Sequence, residues 1–320
     1  MRILYAPNNL SQQRQFEKKN VNIYPVLLSM EATKRRDDGD EIYWGETMHR
    51  VDKIIVEPQG LPFLSLPKAD RMLTKALDKK YQQNGNFKHR PGTYIVSANG
   101  CWHGKCTFCV ENGKPYEVRP VSDVIQEIEE CKKLGFKEVF DDSGTFPIGT
   151  WLSEFLDKFS GGITLGCNMR MVDTDYSLMA HKGFRLLLFG LESANQNTLN
   201  LIQKGTHEED VKYLYKAAKA GLDVHVAVMF GFPWETDEEA VRTLHLVHTL
   251  LRKGIAKTAQ ASFYSPVGGG GNSSHRKYVS KIYDVCLSPD FWFNQIKSIK
   301  NEADLKYLWR KIKTGLKEWK

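Results

Sequence analysis

From residue 93 onward, short apolar runs alternate with longer helical patterns, and this alternation restricts the fold more than any other feature of the chain. It is the signature of a parallel sheet built from repeated strand–helix units, because parallel strands must be joined by a long crossover that is usually a helix. Strands are expected over 93–98, 138–141, 162–167, 185–189, 223–230 and 258–263. Helices are expected over 121–134, 150–159, 175–182, 208–220 and 237–252, with a shorter one after Asn195. Gly135, Gly183, Gly221 and Gly254 each follow a helical run, where a left-handed C-cap favours glycine. Six units fall short of the eight that close a full barrel, so the fold class is α/β, a partial (β/α)6 TIM-like barrel. In such a fold the functional groups belong at the carboxyl ends of the strands.

The first 90 residues differ in texture. A strand over 2–5, a helix over 24–37 and strands over 41–44 and 53–56 make a small N-terminal α/β module. A polar segment over 79–92, with Asn-Gly and Pro-Gly turn pairs, links it to the barrel. Three domains are therefore expected: a reduced α/β module over 1–90, the barrel over 91–271, and a helical C-terminal tail over 272–320. Gly268 to Gly271 should form a flexible rim loop, and Phe291, Trp292 and Phe293 should pack rather than bind. No run of 18 apolar residues occurs, and the first residues lack the pattern of a secretory signal, so no membrane contact and a cytoplasmic location are expected. The formal charge of +7 suits a polyanionic partner such as nucleic acid, but much of the excess lies in 297–320, where a solvated helix face explains it at least as well.

Three of the six cysteines lie within nine residues, in Gly100-Cys-Trp-His-Gly-Lys-Cys-Thr-Phe-Cys109, directly after the first barrel strand. Clustered thiols of this kind indicate a metal rather than a disulfide framework. Iron–sulfur clusters are normally held by four cysteine thiolates, so a cluster bound by Cys101, Cys106 and Cys109 alone leaves one iron open for catalysis. Zinc is the rival, with Cys101, His103, Cys106 and Cys109 as a tetrahedral set. The zinc set lacks a second half-site, and His103 sits so close between two ligands that reaching the same ion would strain the loop. Cys131 and Cys167 lie in apolar stretches and are expected to be small buried hydrophobes.

The loop resembles the Cys-x3-Cys-x2-Cys motif of the radical S-adenosylmethionine superfamily, with one residue more in the first spacing and an aromatic residue, Phe108, before the third cysteine. The resemblance extends downstream over Phe189-Gly-Leu-Glu-Ser193, Asn195-Gln-Asn-Thr-Leu199, Lys204-Gly205-Thr206 and Phe230-Gly-Phe-Pro-Trp-Glu-Thr236. These segments are similar to those of the branch that includes methylthiotransferases and cobalamin-dependent members. The resemblance implies that Cys101, Cys106 and Cys109 bind a 4Fe-4S cluster whose open iron chelates S-adenosylmethionine. It implies further that Phe108 presents its backbone near the adenine, and that Asp142, Ser143 and Gly144 lie where relatives contact the methionine amino group. On the same ground Arg170 pairs with the carboxylate and Glu192 accepts from the ribose or amino group. Bland alternatives are an ion pair of Arg170 with Asp141 or Asp173, a helix cap for Asp142, and a solvent-side His103.

The implied reaction is reductive cleavage of S-adenosylmethionine to a 5′-deoxyadenosyl radical that acts on a substrate the sequence does not name. A flavodoxin or ferredoxin would be the electron donor. The N-terminal module resembles a shortened cobalamin-binding domain, but the Asp-x-His-x-x-Gly signature is absent, and remnant scaffold is favoured over a cobalamin site. Outside the enzyme class, the competing reading is a zinc-bearing nucleic-acid-binding protein that uses its basic C-terminal helices.

Overall fold

The computed structural model describes residues 1–6, 24–45, 47–82, 87–264, 301 and 303–304. The expected rim loop at 268–271, the aromatics at 291–293 and nearly all of the C-terminal tail lie outside the described residues.

Strand β1 (Arg2–Tyr5) is paired in parallel with β2 (Glu41–Trp44) and β3 (Lys53–Ile55), and helix α1 (Val26–Asp37) runs between β1 and β2 in the chain. Ile3, Tyr5, Leu28, Ala32, Trp44 and Ile55 form one buried apolar cluster, so the helix covers one face of this small sheet. The expected module is present, with every element within two residues of its predicted bounds.

The second sheet has six strands in the order β11-β10-β9-β8-β7-β4. These are β4 (Gly92–Ile95), β7 (Glu138–Asp141), β8 (Thr164–Met169), β9 (Phe184–Glu192), β10 (Asp223–Phe230) and β11 (Thr258–Phe263). The β4–β7, β9–β10 and β10–β11 pairs are parallel. Spatial order follows chain order, and β4 and β11 stand at the two ends of the sheet without pairing, which is an open, TIM-like partial barrel. Helices α2 (Val121–Lys133), α3 (Thr150–Lys158), α4 (Tyr176–His181), α5 (Gln196–Leu201), α6 (Val211–Lys219) and α7 (Asp237–Arg252) separate the strands. Gly135, Gly183, Gly221 and Gly254 all have φ between 69° and 100°, the left-handed stops that the sequence pattern requires. Two differences stand out. The expected first barrel strand breaks into β4 and a two-residue strand, β5 (Ala98–Asn99), which pairs antiparallel with β6 (Glu117–Val118). The fourth strand runs three residues beyond its predicted end, to Glu192.

Contacts divide the chain into two compact units. Among the described residues, one comprises those up to 100 together with 115–166, and the other comprises 101–114 and those from 167 onward. In the first unit a side chain from the segment before β4 is bound into the core. Buried Arg71 donates to Glu127 Oε1 at 2.7 Å and to the Tyr94 carbonyl at 2.8 Å, while Arg119 donates to Glu127 Oε2 at 2.5 Å. Both oxygens of a fully buried carboxylate on α2 are thereby engaged by two cations that precede it in sequence, one before β4 and one just before the helix. A buried charge of this kind persists only when paired and hydrogen-bonded.

Candidate functional site

The three cysteines of the loop lie in the second unit, between β5 and β6 in the chain. Cys106 is buried, whereas Cys101 and Cys109 are half-buried, and all three are free thiols. Burial raises the thiol pKa of Cys106 against the opposing pull of Lys204 and Arg170, and burial likewise raises that of Cys109. Cys131 and Cys167 are fully buried, as expected for small apolar side chains.

The zinc geometry does not form. Among the described residues, no group of three His, Cys, Asp or Glu side chains converges at the spacing of a single metal ion. His103 instead directs Nε2 at the Gln203 carbonyl, 2.7 Å away. A carbonyl oxygen can only accept, so this nitrogen carries the proton and is closed to a metal. In a cluster each thiolate binds a different iron, which calls for a wider spread of sulfur atoms than one tetrahedral ion allows.

Arg170 directly follows β8 and is buried. Its Nη1 lies 3.9 Å from Cys106 Sγ, its Nη2 donates to the Lys204 carbonyl, and its guanidinium sits 5.1 Å from the Trp102 ring centroid. The alternative pairing of Arg170 with Asp173 is not made; Lys216 takes Asp173 at 2.7 Å. Arg170 Nε is buried with no hydrogen-bond partner, a guanidinium donor still open to an acceptor beside a cysteine sulfur.

Glu192 ends β9 in the left-handed region, with φ 59°, and is 7% exposed. Its Oε1 accepts from Lys204 Nζ at 2.7 Å. A non-glycine residue at positive φ is uncommon and indicates a side chain aimed by its surroundings. Lys204 was legible only as part of a motif; the structure adds its side chain to the site, 5.8 Å from the Phe108 ring centroid. Phe108 packs against Leu199, Ile202, Met229 and Phe232, together with Trp234 and Tyr264. In the Gly-x-Pro-x-Glu-Thr segment, Thr236 caps α7: Glu239 N donates to its Oγ1 at 3.2 Å, and its own N–H donates to Glu239 Oε2 at 2.9 Å. Glu235 in the same segment is raised to about 7 by burial, with Oε2 accepting from Gly231 N at 2.7 Å.

Asp142, Ser143 and Gly144 follow β7 in the first unit. Asp142 and Gly144 are exposed, and Ser143 is buried. Ser143 Oγ accepts from the backbone N–H groups of Ser97 and Ala98, at 3.0 and 2.9 Å, and Ser143 N donates to Asp141 Oδ1. Asp141 Oδ2 accepts from Ser97 N at 3.0 Å, within the same unit.

The family profile described as Radical SAM superfamily matches residues 95–247. A putative methylthiotransferase of Methanocaldococcus jannaschii is 27% identical over 214 residues, 60% of this chain and 45% of that protein. A tRNA-2-methylthio-N(6)-dimethylallyladenosine synthase of Thermotoga petrophila is 25% identical over 226 residues, 63% of this chain and 49% of that protein. The chain thus spans about half the length of these relatives. Among solved structures, the radical S-adenosylmethionine methyltransferase TsrM from Kitasatospora setae, with cobalamin and a [4Fe-4S] cluster bound, is 20% identical with a TM-score of 0.49. That likeness covers 64% of this chain and 37% of TsrM. The profile spans the cysteine loop, the strand ends that carry Arg170 and Glu192, and the segment after α5 that carries Lys204, and over residues 95–247 the chain matches the radical SAM superfamily.

Proposed function

We propose that the chain binds a 4Fe-4S cluster through Cys101, Cys106 and Cys109 and uses it to cleave S-adenosylmethionine reductively. The observation that carries this reading is the convergence, beside one cysteine sulfur, of two buried cations and a buried carboxylate: Arg170 after β8, Glu192 at the end of β9, and Lys204 in the segment after α5. When bound, the cluster supplies the electron that splits the cofactor into methionine and a 5′-deoxyadenosyl radical.

The donor set fits the group. Three free thiols come from one loop, and Lys204 and Arg170 beside Cys106 offset the negative charge that thiolates bring. Arg170 Nε is a fixed guanidinium donor for the methionine carboxylate, in line with the planar fork that suits carboxylates. Glu192 accepts from the amino or ribose groups, and Lys204 holds it in place. Phe108 walls the adenine side. Asp142, Ser143 and Gly144 complete the methionine contacts in this reading.

The electron donor is a flavodoxin or ferredoxin, and the radical abstracts hydrogen from a substrate still to be identified, nucleic acid among the candidates. The N-terminal module serves as scaffold and not as a cobalamin site. Tyr5 and Trp44, at the carboxyl ends of β1 and β2, are buried and stacked on each other at 6.0 Å, within the apolar cluster that also holds Leu28 and Ala32 of α1. Protein incubated with hydroxocobalamin and then desalted should carry no cobalamin absorbance, and retained cobalamin would overturn that assignment.

The test is anaerobic reconstitution with iron and sulfide, followed by reduction with dithionite and quantitation of 5′-deoxyadenosine. Wild type should take up about four irons and cleave the cofactor. Cys101→Ala, Cys106→Ala and Cys109→Ala should each lose both properties, and cleavage at the parental rate by any of them refutes the assignment.

A further inference from the structure

Three consecutive carbonyls, those of Ile202, Gln203 and Lys204, each accept a hydrogen bond from a different part of the candidate site. Thr107 N, between the second and third cysteines, donates to Ile202 O at 3.0 Å. The His103 imidazole, between the first and second, donates to Gln203 O at 2.7 Å. The Arg170 guanidinium donates to Lys204 O. The segment is shaped for this: Gln203 has φ 52° and Gly205 has φ 64°, left-handed conformations that turn the peptide planes between them. The His103 ring lies over Gly205 so closely that a Cβ there would come within 2.5 Å of Cε1 and 3.2 Å of Nδ1.

His103 stands in the one cysteine spacing that is a residue longer than the motif it resembles. A longer span between two ligands has more conformations to lose when both bind one centre. A hydrogen bond from the middle of that span to a fixed carbonyl removes much of that freedom beforehand.

We infer that His103 is a positioning residue: its bond to Gln203 clamps the extended Cys101–Cys106 span onto the 202–204 strap and so presets the cluster ligands. The same strap carries Lys204, so the loop and the Glu192–Lys204 pair are held as one assembly. The inference rests on the proposed cluster. The imidazole contributes both a donor and a flat ring, and two substitutions separate them. His103→Gln keeps an N–H donor at a similar reach, and His103→Phe keeps a ring over Gly205 without a donor.

Each variant and wild type would be reconstituted anaerobically, and iron and sulfide content and the electron paramagnetic resonance spectrum of the reduced protein recorded with and without S-adenosylmethionine. The spectrum reports ligand geometry independently of turnover. His103→Ala and His103→Phe should give a broadened or shifted signal and about tenfold weaker S-adenosylmethionine binding, the scale of one lost hydrogen bond. His103→Gln should stay close to wild type in both. Wild-type spectra and affinity for His103→Phe, or equal damage in His103→Gln and His103→Ala, overturn the clamp. A wild-type protein that takes up no iron–sulfur cluster would overturn the reading beneath it instead.

Discussion

Lys204 and Glu192 form an ion pair at 2.7 Å whose side chains are each 9% exposed, and the space above Gly190 belongs to them. A Cβ at position 190 would sit 2.5 Å from Glu192 Oε1 and 2.7 Å from Lys204 Nζ. The glycine in Phe189-Gly-Leu-Glu192 is thus explained by the close approach of two charged tips, not by a turn. The pair joins the end of β9 to the segment that receives the cluster loop.

Gly190→Ala should therefore separate stability from function. What must move is the tips of two flexible side chains, so the fold should lose no more than about 1–2 kcal/mol, at the low end for overpacking. The displaced pair should weaken S-adenosylmethionine binding. Thermal melting and equilibrium binding on the same preparation check both halves.

Removing one member of the pair should cost more than removing both. Lys204→Met leaves a buried carboxylate uncompensated, with an expected loss of about 3 kcal/mol. Combining it with Glu192→Gln should recover most of that loss, as a double-mutant cycle in urea would measure.

A separate charge cluster governs acid stability. Burial pushes the Glu127 carboxyl up, but Arg71 and Arg119 outweigh it and hold it below its ordinary 4.5. Because the folded value lies below the unfolded one, the stabilisation is fully present above the ordinary glutamate range and is lost as pH falls through the folded value. Glu127→Gln should destabilise the protein by about 3 kcal/mol at pH 7 and flatten the acid limb of its stability profile. Urea unfolding at a series of pH values gives both.

Glu235 should behave in the opposite sense. Its carboxyl is raised to about 7 by burial, with Glu239 and Asp237 adding to the rise, and Oε1 is buried without a hydrogen-bond partner. A carboxyl with a raised folded value favours the folded state least when ionised, so stability falls as pH climbs from 4.5 through about 7. Glu235→Gln keeps the acceptor for Gly231 N and should be more stable than wild type at pH 8, with the gap closing by pH 5. Denaturation midpoints at the two pH values decide it.

The six strands, their sequential order and the helix stops were legible because they follow from local rules. Apolar period, crossover length and the left-handed preference of Gly135, Gly183, Gly221 and Gly254 act within a few residues of one another. The cysteine loop was legible for the same reason, since its spacing is a local fact. The pattern of apolar residues places the end of β9 at Phe189, three residues short. In the fold, Glu192 still belongs to the strand.

By itself the chain's order of residues determined a partial parallel barrel with three thiols after its first strand. Tertiary structure alone decided which charges meet: Arg71 with Glu127 across 56 positions, Arg170 with the carbonyl of Lys204 across 34, and His103 with Gln203 across 100. The physical reason is that a propensity is a property of neighbours along the backbone. The partner of a buried charge or donor is chosen by desolvation, which acts only once the packed core has excluded water.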